Sequence, residues 1–270
     1  ARLDGPSPRR GLLAVAGPVT DGKAVQVTNT GLRVQAAACA DVIGGPVRLV
    51  NDFFALAHGV PHFERVEQLG GRAPGRAVKA VLGPGTGLGM ATLLPQADPA
   101  TGWLVAASEG GHADLAPGNH LEAELWGLLA AEHGHVCWDT VMCGSGLQRL
   151  YGAMSALWGS RPQALSAEQI SAQGQSMADP VCHQTLETFC GLLGAAAGNL
   201  ALTVAASGGV YLAGGIVPSM LDFVKASPLR RRFDERGEMS AFTEQIPLLI
   251  ITEENPGLHG AAWCLAQSPA

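Results

Sequence analysis

The stretch VKAVLGPGTGLGMATLL (residues 78–94) consists of two apolar runs joined by a loop with four glycines in seven residues. A glycine-rich loop that binds a dinucleotide or a nucleoside triphosphate normally opens a helix, and the triphosphate loop also carries a lysine. This loop has no lysine, and residues 90–94 after it are typical of a second strand. The pattern therefore predicts a β-hairpin with a glycine-rich tip. A plain structural turn needs the same glycines, because glycine adopts positive φ angles without steric cost.

Apolar runs of strand length alternate along the rest of the chain with segments of helical periodicity. A helix is expected from about His120, and a long helix is expected to begin at the N-cap pair Asp179 and Pro180. The further predicted strands are GLLAVAGPV (11–19), AVQVTN (24–29), PVRLV (46–50), VYLAGG (210–215) and IPLLIIT (246–252). Alternating strands and helices predict an α/β protein.

The composition bounds the size of the protein and argues against nucleic-acid binding and secretion. The 270 residues, 47% of them hydrophobic, are enough for one large domain or two smaller ones. A net charge of −6 argues against a nucleic-acid partner, because such proteins need a basic surface. The six cysteines form no C-x-x-C pair, and the first residues lack the pattern of a secretory signal. Reduced thiols and a cytoplasmic location are expected.

Residues 188–221 carry no charge and resemble a membrane span in composition. However, Asn199, Gly208, Gly214 and Pro218 divide the stretch into pieces that are too short to cross about 30 Å of hydrocarbon. We therefore expect a buried helix followed by a buried strand, and no membrane partner.

Asn51 and Asp52 directly follow a predicted strand. Ligands of α/β sheets gather beyond the carboxyl ends of strands, where an aspartate can accept a proton from a hydroxyl group. Asp52 is therefore a candidate catalytic base. The alternative is that Asp52 only caps the helix predicted in FFALAHG.

In SEGGHADLAPG (residues 108–118), Glu109 and His112 flank two glycines. A carboxylate and an imidazole together offer the acceptors and the donor that match neighbouring hydroxyls of a sugar. An ordinary polar surface turn is the alternative.

The stretch AAEHGHVCWDTVMCG (residues 130–144) contains two histidines and two cysteines close together. Their spacing matches no zinc template, and the residues between them are typical of a packed core. We expect no metal site, and we take Glu132 as the polar residue of this stretch that would serve a nearby pocket.

Six segments, in order, resemble the bacterial glucokinases, a family related to hexokinase and actin by fold and distinct from the zinc-containing repressor-type sugar kinases. They are LVNDFFALAHGVP, GPGTGLGMA, EGGHADLAPG, AEHGHV, GGVYLAGGIVPS and NPGLHGAA. The resemblance covers nearly the whole chain. It implies a two-domain hexokinase/actin-like (ribonuclease H-like) fold, with residues 1–62 plus 253–270 as the small domain and 63–252 as the large one.

The resemblance also implies a reaction, in which ATP and glucose give glucose 6-phosphate and ADP with Mg²⁺. Asp52 would be the general base for the 6-hydroxyl, and the tip of the hairpin would grip the phosphates of ATP. The adenosine moiety would lie on the segment LAGG (residues 212–215). The implied sugar-binding residues are Asn51, Glu109, His112 and Glu132, and the implied nucleotide-binding residues are Gly85, Thr86, Gly87, Gly214 and Gly215. The family further implies a homodimer.

The chain departs from the family in two places. Members begin with a phosphate-binding hairpin of the type Asp-x-Gly-Gly-Thr-x-x-Arg, which has no match here. This predicts an N-terminally truncated chain, with a small domain that is incomplete at its N-terminus and lacks the magnesium-coordinating aspartate. In addition, TGLRVQ after Thr28 and Asn29 replaces a tryptophan of the family.

Two alternatives remain at this point. A catalytically inactive sugar-binding or regulatory protein of the same fold is favoured by the missing hairpin, whereas the intact Asp52 argues against it. A kinase for another hexose, such as mannose or fructose, has the same motifs.

Overall fold

The chain is built around a six-stranded mixed sheet. The structure is a computed structural model and describes residues 10–19, 21–28, 30–98 and 102–267. The strands are β1 (Gly11–Val15), β2 (Ala24–Gln26), β3 (Arg33–Gln35), β4 (Val47–Asn51), β5 (Val66–Gln68), β6 (Lys79–Pro84), β7 (Leu88–Pro95), β8 (Trp103–Ser108), β9 (Gly209–Leu212) and β10 (Leu248–Ile251). The helices are α1 (Ala36–Ile43), α2 (Asp52–Gly59), α3 (His120–His133), α4 (Trp138–Val141), α5 (Gly144–Leu157), α6 (Ala167–Gln175), α7 (Pro180–Thr203), α8 (Ile216–Ser219), α9 (Leu221–Ala226), α10 (Leu229–Asp234), α11 (Ser240–Thr243) and α12 (Pro256–Gln267), with 3₁₀ turns at Val60–His62, Gly110–His112 and Gly237–Met239.

The strand order in the large sheet is β5-β10-β9-β6-β7-β8. Strand β9 runs parallel to β10 and to β6, whereas β6, β7 and β8 form an antiparallel meander. Pro84 pairs with Leu88 at the end of the β6–β7 hairpin, so residues 85–87 form its tip. The predicted hairpin and the α/β class are confirmed.

Both faces of the sheet are buried at its centre, where all six residues of β6 are buried. Successive side chains of a strand point to opposite faces, so Leu82 and Val81 of β6 belong to different hydrophobic cores. Leu82 packs with residues of α5, α6 and α7. Val81 packs with Leu56 and Ala57 of α2 on the other side.

Helix α7 is the long helix of the first core and begins where the sequence predicts. Asp179 is its N-cap, and one carboxylate oxygen accepts hydrogen bonds from the amides of Val181 (2.7 Å) and Cys182 (3.0 Å). Among the described residues, α7 alone is long and apolar enough to cross a membrane, but 78% of its most apolar window is buried inside the protein. Its apolar composition is therefore accounted for by the core.

The N-terminal region has two small sheets of its own. Strands β1 and β4 pair in parallel, and β2 pairs with β3 in antiparallel. Helix α12 packs on α2 and β1, while α2 also contacts β7 and β8 of the large sheet. The division into domains at residues 62 and 253 stays a prediction, and residues 1–9 and 268–270 lie outside the described residues.

The start of α2 lies directly against the hairpin. The Phe53 ring packs so closely on Gly89 of β7 that a side chain at Gly89 would overlap it. The carboxyl end of β4 is therefore held beside the glycine-rich tip, and this contact positions the site.

Candidate active site

A cavity, which we call the first cavity, lies where the end of β4, the hairpin tip and the turn after β8 meet. Four of the five side chains predicted to act on a sugar lie in its wall, although they come from distant parts of the sequence. The lining residues are Ala16, Gly17, Thr28, Asn51, Asp52, Phe53, Gly85, Thr86, Gly87, Leu88, Gly89, Ser108, Glu109, His112 and Asp139.

Asn51 and Asp52 have different local roles. Asn51 is the N-cap of α2, because its side-chain oxygen accepts a hydrogen bond from the Phe54 amide at 3.0 Å. Its side-chain nitrogen donates to the carbonyl of Gly17 at 3.3 Å and so ties β4 to the segment after β1. Asp52 is the first residue of the helix, and its Oδ1 accepts from the Phe53 amide at 2.9 Å. Since Asn51 caps the helix, Asp52 is not required for that role.

The environment makes Asp52 a stronger base than an exposed aspartate. Burial raises the pKa of its carboxyl above 3.8, and the nearby negative charge of Glu109 raises it further. The hydrogen bond from the Phe53 amide acts in the opposite direction and is outweighed. A carboxylate with a raised pKa holds a transferred proton more strongly, which suits a general base.

Glu109 directly precedes the 3₁₀ turn Gly110–His112, and His112 ends it, at the carboxyl end of edge strand β8. The turn is closed by a hydrogen bond from the His112 amide to the Glu109 carbonyl (2.9 Å). Both side chains are exposed at the cavity wall. The Nδ1 atom of His112 lies 4.0 Å from the buried Cys137 sulfur, so the thiol flanks one side of the imidazole.

A second, larger cavity lies on the other side of the hairpin tip and shares Gly85 and Thr86 with the first. Its volume of about 580 Å³ is within the range typical of small-molecule sites. It is lined by Gly85, Thr86, Gly144, Leu147, Ala167, Glu168, Ser171, Ala172, Gln175, Gly215, Ile216 and Ser219. The two cavities therefore meet at the glycine-rich tip.

Gly214 and Gly215 serve this second cavity in different ways. Gly215 lines it, whereas Gly214 lies against the carbonyl oxygen of Pro84, where a Cβ atom would collide. Gly214 also has a φ of +86°, which residues with a side chain rarely adopt. It therefore lets the end of β9 approach the base of the hairpin tip.

The structure does not bring Glu132 to either cavity. Glu132 lies near the end of α3 with its side chain 76% exposed, and it pairs with His133 at 3.8 Å. The predicted contact between Glu132 and the sugar is not supported by this position.

Asp139 is the acidic residue of this stretch that lines the first cavity, and the sequence analysis missed it. Its Oδ1 accepts a hydrogen bond of 2.6 Å from the Leu88 amide at the hairpin tip. The available signal was its position within AEHGHVCWDT, seven residues after Glu132. Which of the two acids turns inward depends on the path of the chain after α3, and that path is set by packing.

The His and Cys residues of this stretch make separate contacts. His135 pairs with Asp114 at 2.6 Å. Cys143 caps α5 by accepting from the Gly146 amide at 3.2 Å. Within residues 10–19, 21–28, 30–98 and 102–267, no group of three or more His, Cys, Asp or Glu side chains is arranged to hold a metal ion.

The chain matches known proteins over nearly its whole length. A family model described as Glucokinase matches residues 2–268. A glucokinase from Chromobacterium violaceum is 44% identical over 258 residues, which cover 94% of this chain and 73% of the relative.

Solved structures resemble the fold as well. A glucokinase from an Antarctic psychrotroph is 38% identical in sequence and superimposes with a TM-score of 0.83. The match covers 97% of this chain and 81% of that protein. A glucokinase from Balamuthia mandrillaris, solved in complex with glucose, has a TM-score of 0.83 at 25% identity. The match covers 95% of this chain and 77% of that protein. A ROK family glucokinase from Streptomyces griseus, in complex with glucose and AMPPNP, shares the fold with a TM-score of 0.63 at 22% identity, with 94% and 80% coverage.

Proposed function

The chain belongs to the glucokinase family and is a hexose kinase, and we propose that it transfers the γ-phosphate of ATP to the 6-hydroxyl of glucose. The observation that carries this proposal is the meeting of two cavities at Gly85 and Thr86, with Asp52 in the wall of the first. A sugar in the first cavity and a nucleotide in the second would bring their reacting ends together at the hairpin tip. The relative solved with glucose supports the choice of sugar.

At the sugar end, Asp52 accepts the proton of the 6-hydroxyl as that oxygen forms a bond to the γ-phosphorus. The bond from phosphorus to the β,γ-bridging oxygen breaks, and ADP leaves with the electron pair. Asn51, Glu109, His112 and Asp139 hydrogen-bond the other hydroxyls. Glu132 is left out of the proposal because its exposed side chain lines neither cavity. A site that pairs each hydroxyl discriminates strongly, since a sugar that lacks one leaves a buried polar group unpaired.

At the nucleotide end, the backbone N–H groups of Thr86 and Gly87 contact the phosphates, while the Gly85 N–H donates to the Gly87 carbonyl at 2.8 Å and closes the tip. The adenosine moiety lies in the second cavity beside Gly215. The glucokinase solved with AMPPNP shares this fold and supports ATP as the donor. Phosphoryl transfer requires mainly the positioning of the reactants and the stabilisation of spread negative charge.

Mg²⁺ enters the proposal only with the triphosphate. We assign no residue of this chain to Mg²⁺. Mg²⁺ in kinases is held largely by phosphate oxygens and water, and there it neutralises phosphate charge.

A cytoplasmic location and a role at the entry of glycolysis follow from this activity. All six cysteines are free thiols, which suits a reducing compartment. A homodimer stays a prediction from the family resemblance.

The direct test is product formation by the purified protein with ATP and Mg²⁺, using glucose, mannose and fructose in parallel. We expect glucose 6-phosphate, with the highest kcat/KM for glucose. A higher kcat/KM for another hexose would reassign the substrate. Calorimetry that detects glucose binding but no ATP binding would instead support an inactive sugar-binding protein.

A further inference from the structure

The hairpin tip is attached to the neighbouring helices at two points. The Leu88 amide donates to Oδ1 of Asp139 at 2.6 Å, and the Gly144 amide donates to the carbonyl of Gly85 at 3.2 Å. Between these points, a Cβ atom at Gly87 would lie only 2.5 Å from the same Asp139 oxygen. The segment from Asp139 to Gly144 therefore clasps both sides of the three-residue tip.

The backbone that carries Asp139 is held firmly by the first core. Its flanking residues Trp138, Val141 and Met142 are buried, with exposed fractions of 4%, 0% and 0%. The Cys143 thiol donates to the Asp139 carbonyl at 3.3 Å. The Asp139 side chain thus contacts the glycine-rich tip from a well-packed backbone segment.

We propose that Asp139 is a positioning residue that latches the phosphate-binding hairpin tip in place before the nucleotide arrives. This inference rests on the proposed function, in which the tip contacts the phosphates. Glycine loses more conformational freedom on ordering than any other residue, so a tip with two glycines is costly to fix. A hydrogen bond to a carboxylate is stronger than a neutral one and can fix the tip in advance.

The same carboxylate lines the first cavity, and through Leu88 it holds the tip that the two cavities share. A sugar hydroxyl bonded to Asp139 would act on the group that orients Leu88. Asp139 alone would therefore connect the binding of the sugar to the position of the phosphate-binding tip.

The test compares Asp139→Ala, which removes the acceptor, with Asp139→Asn, which keeps an oxygen at this position. Amide hydrogen exchange without any ligand reports the latch itself. We expect faster exchange at Leu88 in D139A than in wild type and an intermediate rate in D139N, whose neutral amide oxygen is a weaker acceptor. Exchange at Val81 and Leu82 in the core of β6 should not change. Unchanged Leu88 exchange in D139A would overturn the inference.

Titration calorimetry of nucleotide binding in the absence of sugar then distinguishes two roles of Asp139. As a latch it affects nucleotide affinity, whereas a residue that only contacts the sugar does not. We expect D139A to bind AMPPNP about tenfold more weakly, and AMP unchanged, because AMP lacks the β- and γ-phosphates. Glu124→Ala, an exposed acid on α3, serves as the matched control. Wild-type AMPPNP affinity in D139A, or an equal loss for AMP, would contradict the latch. Failure of the wild-type protein to bind AMPPNP would count against the proposed function, while the exchange experiment still decides the latch.

Discussion

At the scale of single residues, Asp52 has the position and environment of a base. Its neighbour Asn51 caps α2, which leaves the Asp52 carboxylate in the cavity wall. Burial and Glu109 raise its pKa, so the carboxylate binds a proton more strongly than that of an exposed aspartate. These properties depend on the end of β4 being packed against the hairpin.

Replacing Asp52 by Asn should therefore lower kcat by about 10²–10⁴-fold, the range for loss of a general base. Glucose binding should stay close to wild type, because asparagine has nearly the same shape and still offers a polar group. Steady-state kinetics and glucose titration of D52N measure the two effects separately. Loss of glucose binding together with turnover would reassign Asp52 to a structural role.

Glu109 and Glu132 form a matched pair of tests, since both were predicted to bind sugar and only Glu109 lines the cavity. Glu109→Gln should weaken glucose binding by about 1.5–3 kcal/mol, the range for a hydrogen bond to a charged group. Glu132→Gln should leave glucose affinity unchanged. Titration calorimetry of both variants decides the assignment, and the opposite ranking would restore Glu132 to the site.

At the scale of elements, the hairpin β6–β7 is set by the strand ends around it. The Phe53 ring of α2 packs against Gly89, and Gly214 after β9 packs against the Pro84 carbonyl. These contacts fix the base of the hairpin, whereas the tip is held by Asp139 and Gly144. The glycines of residues 78–94 therefore allow close packing against neighbouring elements as well as the turn of the hairpin.

Gly214→Ala should lower the free energy of unfolding by at least about 1 kcal/mol, because an alanine at positive φ is strained and its Cβ would meet Pro84. Gly215→Ala is the matched control: its φ is −81° and no atom lies within 4 Å of a Cβ built there. Urea unfolding of both variants measures the difference. Equal stability of the two would show that the contact at Pro84 relaxes without cost.

At the scale of the whole molecule, two hydrophobic cores on opposite faces of one sheet hold the site together. The first core supports α7 and the segment that carries Asp139, and the second supports α2 and Asp52. A ligand that touches both Asp52 and Asp139 therefore bridges the two sides of the sheet. The stability of the whole protein also depends on how the partly buried Asp52 titrates.

Asp52 should make stability depend on pH in a defined direction. Its pKa is raised in the folded protein, so the folded state holds a proton that the unfolded state releases as the pH rises above 3.8. Stability is therefore lost as the pH rises through the folded pKa, and the full cost is present at neutral pH.

Because Asp52→Asn removes this cost, D52N should have a higher Tm than wild type at neutral pH. The difference should disappear below pH 3.8, where the carboxyl is protonated in both states. Calorimetric Tm values of the two proteins across this range are the measurement. A lower Tm for D52N at neutral pH would show that the ionised carboxylate is a net stabilising group.

Much of the fold followed from local sequence patterns. The glycine-rich hairpin, the Asp179–Pro180 start of α7 and the start of α3 at His120 were predictable because turns and caps depend on a few adjacent residues. Strands β3, β5 and β8 were missed. Strands β3 and β5 have only three residues, and so short a strand has no periodicity and exists only through its partner. Strand β8 is an edge strand whose residues are mostly exposed, and its sequence lacks the alternation of apolar and polar residues that is typical of a half-buried strand.

The sequence by itself determined the local chemistry: an acid after a strand, a carboxylate and an imidazole around a glycine pair, and a glycine-rich hairpin tip. Only the tertiary structure decided that Asp139, rather than Glu132, faces the cavity and holds Leu88. The reason is physical. The direction of a side chain after a helix depends on how the following buried residues pack, and that packing involves contacts with elements far away in the chain.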